Sequence, residues 1–194
     1  MGRPRRRPLT VPGAPVEPLP DRAAELLASV GAPPRLVAHL RLVHDVAHRL
    51  TGRLAAAWPA LEFDRAAVLF GAATHDIGKA LHPAELSGPG AEHEPAGHRL
   101  LLERGVPEEL ARFARDHAAW DAPGATVEDL LVSLADKVWK GKRVEALEML
   151  LVERLAAVGG QEPWAAFMTL DDILADLAAG ADARLAYQSR HPVE

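Results

Sequence analysis

The segment Ala66-Ala67-Val68-Leu69-Phe70-Gly71-Ala72-Ala73 is apolar on every face of a helix, and it runs straight into Thr74-His75-Asp76. A helix with no polar face belongs in the middle of a core. The chain must therefore fold as layers around this segment and deliver an imidazole and a carboxylate to its interior. Burying such groups without partners costs on the order of several kcal/mol. They are either paired or bind a metal. A structural His75–Asp76 or Asp76–Lys79 pair meets that requirement as well as ligation does, and from this helix alone both readings stand.

The surrounding chain reads as helix almost throughout. Asp21 can cap a short helix ending near Gly31, and Pro33-Pro34 opens a long one to about Trp58, with Leu36, Leu40, Val43, Ala47, Leu50 and Leu54 at helical spacing. Asp64 caps the apolar helix, which ends at Gly78, and residues 81–91 form a loop with Pro83 and Ser87-Gly88-Pro89-Gly90. Helices follow at about 93–104, 107–118, 126–157 and 162–186. No segment alternates as a strand would. The expected fold is all-α, a bundle of about six to seven helices forming a single domain over residues 21–190. Residues 1–20 carry six prolines and Arg3, Arg5, Arg6 and Arg7, which predicts an extended, basic, disordered tail.

Several polar residues are placed where they could reach a shared interior site. His44 lies at the edge of the apolar stripe of the long helix, between Leu40 and Ala47, and is followed by Asp45. His93 opens a helix after the Gly/Pro loop, His117 closes another, and Asp136 sits mid-helix in Leu134-Ala135-Asp136-Lys137. Taken singly, each also reads as a satisfied core histidine, a surface histidine or part of a solvated face. Taken together, the order His, His-Asp, His, His, Asp places each group on a different helix or helix end, which is how bundles build metal sites. The chain has no cysteine, so disulfides, thiolate zinc sites and cysteine nucleophiles are excluded. Imidazole and carboxylate ligands suit Mn, Fe, Mg, Co or a catalytic Zn. A net charge of −5 argues against a nucleic-acid coat. No apolar run approaches the roughly 18 residues of a membrane helix, and there is no signal-type stretch, so a cytoplasmic protein is expected.

The ordered set resembles the HD superfamily of metal-dependent phosphohydrolases, whose pattern is H…HD…D. Ala72-Ala73-Thr74-His75-Asp76-Ile77-Gly78-Lys79-Ala80 resembles the HD signature in its HDIGK form, and Leu134-Ala135-Asp136-Lys137 the closing aspartate. Glu92-His93-Glu94-Pro95-Ala96-Gly97 and Phe113-Ala114-Arg115-Asp116-His117 resemble the two additional histidines of the two-metal branch. The spacing is most similar to the bacterial diadenosine tetraphosphate hydrolases of the HD class, with a shorter loop after His75-Asp76 and a longer stretch between His117 and Asp136. Lys79 is shared instead with the HD-GYP phosphodiesterases and the ribonuclease Y type, but there is no Gly-Tyr-Pro motif.

The resemblance implies two divalent ions, Fe or Mn first, held by His44, His75, Asp76, His93, His117 and Asp136, with Asp76 bridging. Ions about 3.5–4 Å apart clamp a phosphate and supply the attacking hydroxide. It implies hydrolysis of a phosphate ester or anhydride of a nucleotide-like substrate, with Lys79, Lys137, Arg41 and Lys140 as phosphate contacts. Trp120 would stack on a base and His98 would serve as leaving-group acid. Two other readings stay open: a non-catalytic nucleotide-binding or regulatory module on the same fold, and an RNA-acting phosphodiesterase.

Overall fold

The computed structural model describes residues 10–11 and 14–193. Pro4, Pro8, Pro12 and the four arginines of the tail lie outside the described residues. Apart from a two-residue antiparallel pairing of Thr10–Val11 with Ala14–Pro15, the described residues are helical, with nine α-helices. These are α1 (Asp21–Ser29), α2 (Pro34–Ala57), α3 (Arg65–Thr74), α4 (His93–Glu103), α5 (Glu108–Asp116), α6 (Val127–Val138), α7 (Glu145–Gly159), α8 (Pro163–Ala178) and α9 (Ala181–Ser189). Two short 3₁₀ turns, Ile77–Ala80 and Pro83–Leu86, join α3 to α4. No helix of the described residues is long and apolar enough to cross a membrane.

The starts and stops follow local chemistry. Asp64 accepts the Ala67 amide at 3.0 Å and caps α3. Thr126 and Asp129 form a reciprocal capping box at α6, satisfying amides that no helical carbonyl can reach. Pro34 and Pro163 stand in the first turns of α2 and α8, where a missing amide costs nothing.

Two helices expected to be continuous are broken. The 126–157 segment divides after Val138: Gly141 turns into the left-handed region at φ 75°, and the Gly141 and Lys142 amides close back onto Val138 and Lys137. This is a helix terminus that only glycine adopts freely. The 162–186 segment divides at Ala179-Gly180.

The main core joins α2, α3, α6, α7 and α8; a second cluster lies among α1, the start of α2, α4 and α5. As its composition requires, α3 runs between them. Gly71 lets it approach closely, since a Cβ there would sit 2.7 Å from the Phe113 ring of α5 and 2.9 Å from Val132 of α6. That squeeze brings the end of α3 between α2, α5 and α6.

Candidate metal centre

Asp76 is 2% exposed and lies at the centre of a buried polar cluster. Its Oδ2 is 3.1 Å from His39 Nε2 of α2 and 3.6 Å from His75 Nε2. Its Oδ1 is 3.0 Å from His93 Nε2 at the start of α4 and 3.6 Å from His117 Nε2 at the end of α5. Asp136 Oδ1 of α6 is 3.5 Å from His75 Nε2 and 3.9 Å from His39 Nε2. The two oxygens of one carboxylate thus face two different sets of imidazoles. Glu94 joins the His93–His117 side, where one atom from each of the three lies within 4.8 Å of the others.

Hydrogen bonds on the far side of the rings fix how they present themselves. The Nδ1 of His75 lies 3.1 Å from the Ala72 carbonyl, and that of His117 lies 3.2 Å from the Ala114 carbonyl. A carbonyl only accepts, so each Nδ1 carries a proton and Nε2 is the ring atom turned toward the carboxylates. His93 Nδ1 is held at 2.5 Å by Glu85, whose carboxylate also accepts the Glu92 and His93 amides. Such outer partners are what orient metal-binding histidines.

The donor set was tested for its fit to a metal on the buried atoms themselves. His39 Nε2, His75 Nε2, His93 Nε2 and Asp76 Oδ1 are buried and make no aligned hydrogen bond, although each of the three ring nitrogens lies 3.0–3.9 Å from an oxygen of Asp76 or Asp136. Unpartnered buried polar atoms are rare and costly. Four of them gathered around the two oxygens of Asp76 fit ligands disposed around bound cations. Four imidazoles and two carboxylates with no thiolate fit a catalytic divalent ion.

The cluster's charges favour the same state. Burial alone would raise the Asp76 carboxyl, but the imidazoles of His75, His39 and His93 outweigh it and hold it well below the usual range. Asp136 is likewise held low, with His75 and Lys137 overcoming burial. Burial, reinforced by His75, pushes His117 down to about 4, and burial lowers His39. Burial opposes protonation of His93, but the Asp76 and Glu85 carboxylates outweigh it and raise it. Burial raises Glu94.

Five of the six expected ligands come together. The sixth, His44, does not: the imidazole supplied by α2 is His39, and His44 is corrected accordingly. Five residues along an α-helix turn about 140°, so the two rings cannot share a site. His44 is buried elsewhere, with an unpartnered Nδ1, and is lowered to about 4 by burial and by the charges of His48 and Arg65. Arg41 follows His39 by about 200° of helix rotation and is half-buried away from the cluster. His98, five residues after His93, is also turned away, and its Nε2 meets Glu108 at 2.7 Å. It is therefore not placed to protonate a leaving group.

Lys79 and Lys137 do reach the centre, donating to Asp76 at 2.6 Å and to Asp136 at 2.7 Å. Lys140 is exposed beside Trp139, and Trp120 packs half-buried against the main core. The sequence reading missed His39, Glu85 and Glu94. His39 lies where α2 is buried on nearly all sides, about 140° round the helix from His44. Glu85 lies in a Gly/Pro-rich loop with no periodicity to mark it.

Gly78 explains why the centre is so tight. A Cβ on it would lie 2.0 Å from the His93 carbonyl oxygen, and the would-be Cβ of Gly97 lies 3.0 Å from the Gly78 amide nitrogen. The turn after His75-Asp76 therefore packs main chain to main chain against α4, bringing His93 onto Asp76.

Comparison with known proteins gave no match among curated proteins or solved structures. A family model does match: the HD domain, over residues 36–139, more than half of the chain. The match opens just before His39 and closes just after Asp136, so it spans every residue that touches Asp76. On that match the chain belongs to the HD domain family.

Proposed function

We propose that this protein is a two-metal phosphohydrolase that cleaves a phosphate ester or anhydride of a small nucleotide-like substrate, with dinucleoside polyphosphates the first to test. The observation that carries the reading is the division of Asp76: Oδ2 faces His39 and His75, while Oδ1 faces His93 and His117. His39, His75, Asp76 and Asp136 would hold one ion. Asp76, His93 and His117, with Glu94 alongside, would hold the other. Iron or manganese suits this donor set best.

When bound, such a pair polarises phosphoryl oxygens and lowers the pKa of water. The protein's own groups do the rest. Lys79 and Lys137 pair with Asp76 and Asp136, the carboxylates that would hold the ions, and would neutralise charge on the incoming phosphate. Glu85 keeps the His93 ring turned inward. The buried walls from α2, α3 and α6 keep bulk water away from the ligands.

Metal analysis of purified protein should give two ions per chain. His93→Ala and His117→Ala should each leave about one and lose most hydrolysis of phosphate esters, diesters or dinucleoside polyphosphates. One ion in wild type, unchanged in both variants, would overturn the two-metal reading. Full activity in Asp76→Ala would overturn the hydrolase.

A further inference from the structure

A second cavity, a cleft of about 480 Å³, lies where α2 and the start of α3 meet α8 and α9, and it shares no lining residue with the metal centre. Its walls carry four arginines: Arg49 and Arg53 of α2, Arg65 of α3 and Arg184 of α9. Such density is unusual in a chain of net charge −5.

Two of the four are neutralised. Arg49 pairs with Asp45 at 3.0 Å, and Arg53 pairs with Asp176. The other two have only neutral partners among the described residues. Arg65 donates to the Thr51 hydroxyl at 3.0 Å and the His48 carbonyl at 3.2 Å. Arg184, 9% exposed, donates to the carbonyls of Trp139, Leu177 and Val138 at 2.6, 2.7 and 3.3 Å. Carbonyls at the C-terminal ends of α6 and α8 orient this guanidinium without forming an ion pair, and the carboxylate that acts on it, Asp45, is itself paired with Arg49. Burial lowers the Arg184 pKa, with Asp45 opposing it.

One wall of the cleft is exposed, bare backbone. Gly52 lines it from the interior of α2, and a Cβ built there meets nothing within 4 Å. Glycine in a helix interior is about 1 kcal/mol worse than alanine. Here it leaves open space beside the guanidiniums.

We infer that this cleft is a binding site for a small phosphorylated anion, recognised by the guanidiniums of Arg65 and Arg184, which have no ion-pair partner among the described residues, beside the open wall at Gly52. Guanidinium forks match phosphate oxygens in geometry and charge. The volume lies within the range of small-ligand pockets. Because α8 and α9 lie beyond the family match at 36–139, the site is built jointly by the HD domain and this chain's own C-terminal helices. An anion there would fasten those helices to α2, the helix that also carries His39. The site does not depend on the hydrolase reading.

The test is calorimetric titration of the purified full-length protein with pyrophosphate and, separately, with AMP. Gly52→Leu puts a bulky side chain on that wall without removing any arginine partner. Arg65→Gln removes one charge from an exposed position. Each should weaken binding about tenfold or more, the loss expected for one guanidinium–phosphate contact. Both should leave hydrolysis at the metal centre unchanged. Circular dichroism checks that each variant is folded, and if Gly52→Leu is not, Arg65→Gln decides. Affinity for both probes equal to wild type in the folded variants would overturn the site, as would no binding of either probe to wild type.

Discussion

Glu148 is buried nearly as deeply as Asp76 and as deeply as His93, but the two regions treat their polar groups differently. In the C-terminal region the protein supplies its own partners. Glu148 accepts two bonds from Arg143, at 2.8 and 2.7 Å, and the Val144 amide at 3.0 Å, while Arg143 also reaches Asp171. Around Asp76 the rings of His75, His93 and His117 are oriented from behind, while His39 Nε2, His75 Nε2, His93 Nε2 and Asp76 Oδ1 are left without partners. Burial alone therefore does not distinguish a structural polar group from a functional one. What distinguishes them is whether the inward-facing lone pairs are already used.

The largest effect that would break this comparison comes from exchanging the two histidines of α2. His39→Ala should remove metal from its half of the centre and lower hydrolysis about a thousandfold. His44→Ala should keep both metal and activity and lose only some stability from the space left behind. Metal content and turnover measured on both variants decide it; an inactive His44→Ala beside an active His39→Ala would restore the sequence-based assignment.

On the structural side, Glu148→Ala leaves Arg143 with Asp171 alone and the Val144 amide unpaired. It should cost about 1–3 kcal/mol, the usual loss when a buried hydrogen-bond partner is removed. Denaturant unfolding reads that loss, while activity per folded molecule stays near wild type.

A smaller effect is expected at Glu85, which touches the centre only through His93. Glu85→Gln can still accept from Nδ1 but brings no charge. Metal affinity should fall about tenfold to a hundredfold, and the melting temperature in chelator should stay unchanged. A drop in stability without a drop in affinity would make Glu85 merely a cap for α4.

The mildest test is pH in the presence of chelator. His117 and His44 are held near 4 in the fold, whereas an unfolded histidine titrates near 6.5. Between those values the unfolded chain takes up protons that the native state refuses. Stability is thus complete above about pH 6.5 and is lost as pH falls towards about 4. Unfolding midpoints that do not move across this window would contradict the neutral, buried state of both rings.

Much of the centre was legible because its chemistry breaks a pattern. His75-Asp76 stands out at the end of an apolar helix, and Asp136 stands out within Leu134-Ala135-Asp136-Lys137. The choice between His39 and His44 was not legible, because α2 is buried on nearly all sides from Ala38 to Ala47 and periodicity cannot rank two histidines on such a helix. The breaks after Val138 and Ala178 were hidden for a related reason: apolar and polar faces run in register across them, and only the backbone at Gly141 and the Ala179-Gly180 step shows the turns. Glu85 depends on a long-range contact that no local signal encodes.

The meeting of Gly78 with α4 works as a gauge. Most distances in a protein interior are set by side chains, and successive substitutions can lengthen or shorten them a methyl group at a time. The separation between the His39–His75 side of the centre and the His93–His117 side is set instead by one stretch of main chain resting on another, with no side chain at Gly78 to vary. Substitutions in the surrounding core can alter stability without recalibrating that interval. A single added methyl at position 78 would have to shift α4, and with it His93. The glycine of the His-Asp-Ile-Gly-Lys motif thus fixes a dimension of the site, in the way that its neighbours fix the chemistry.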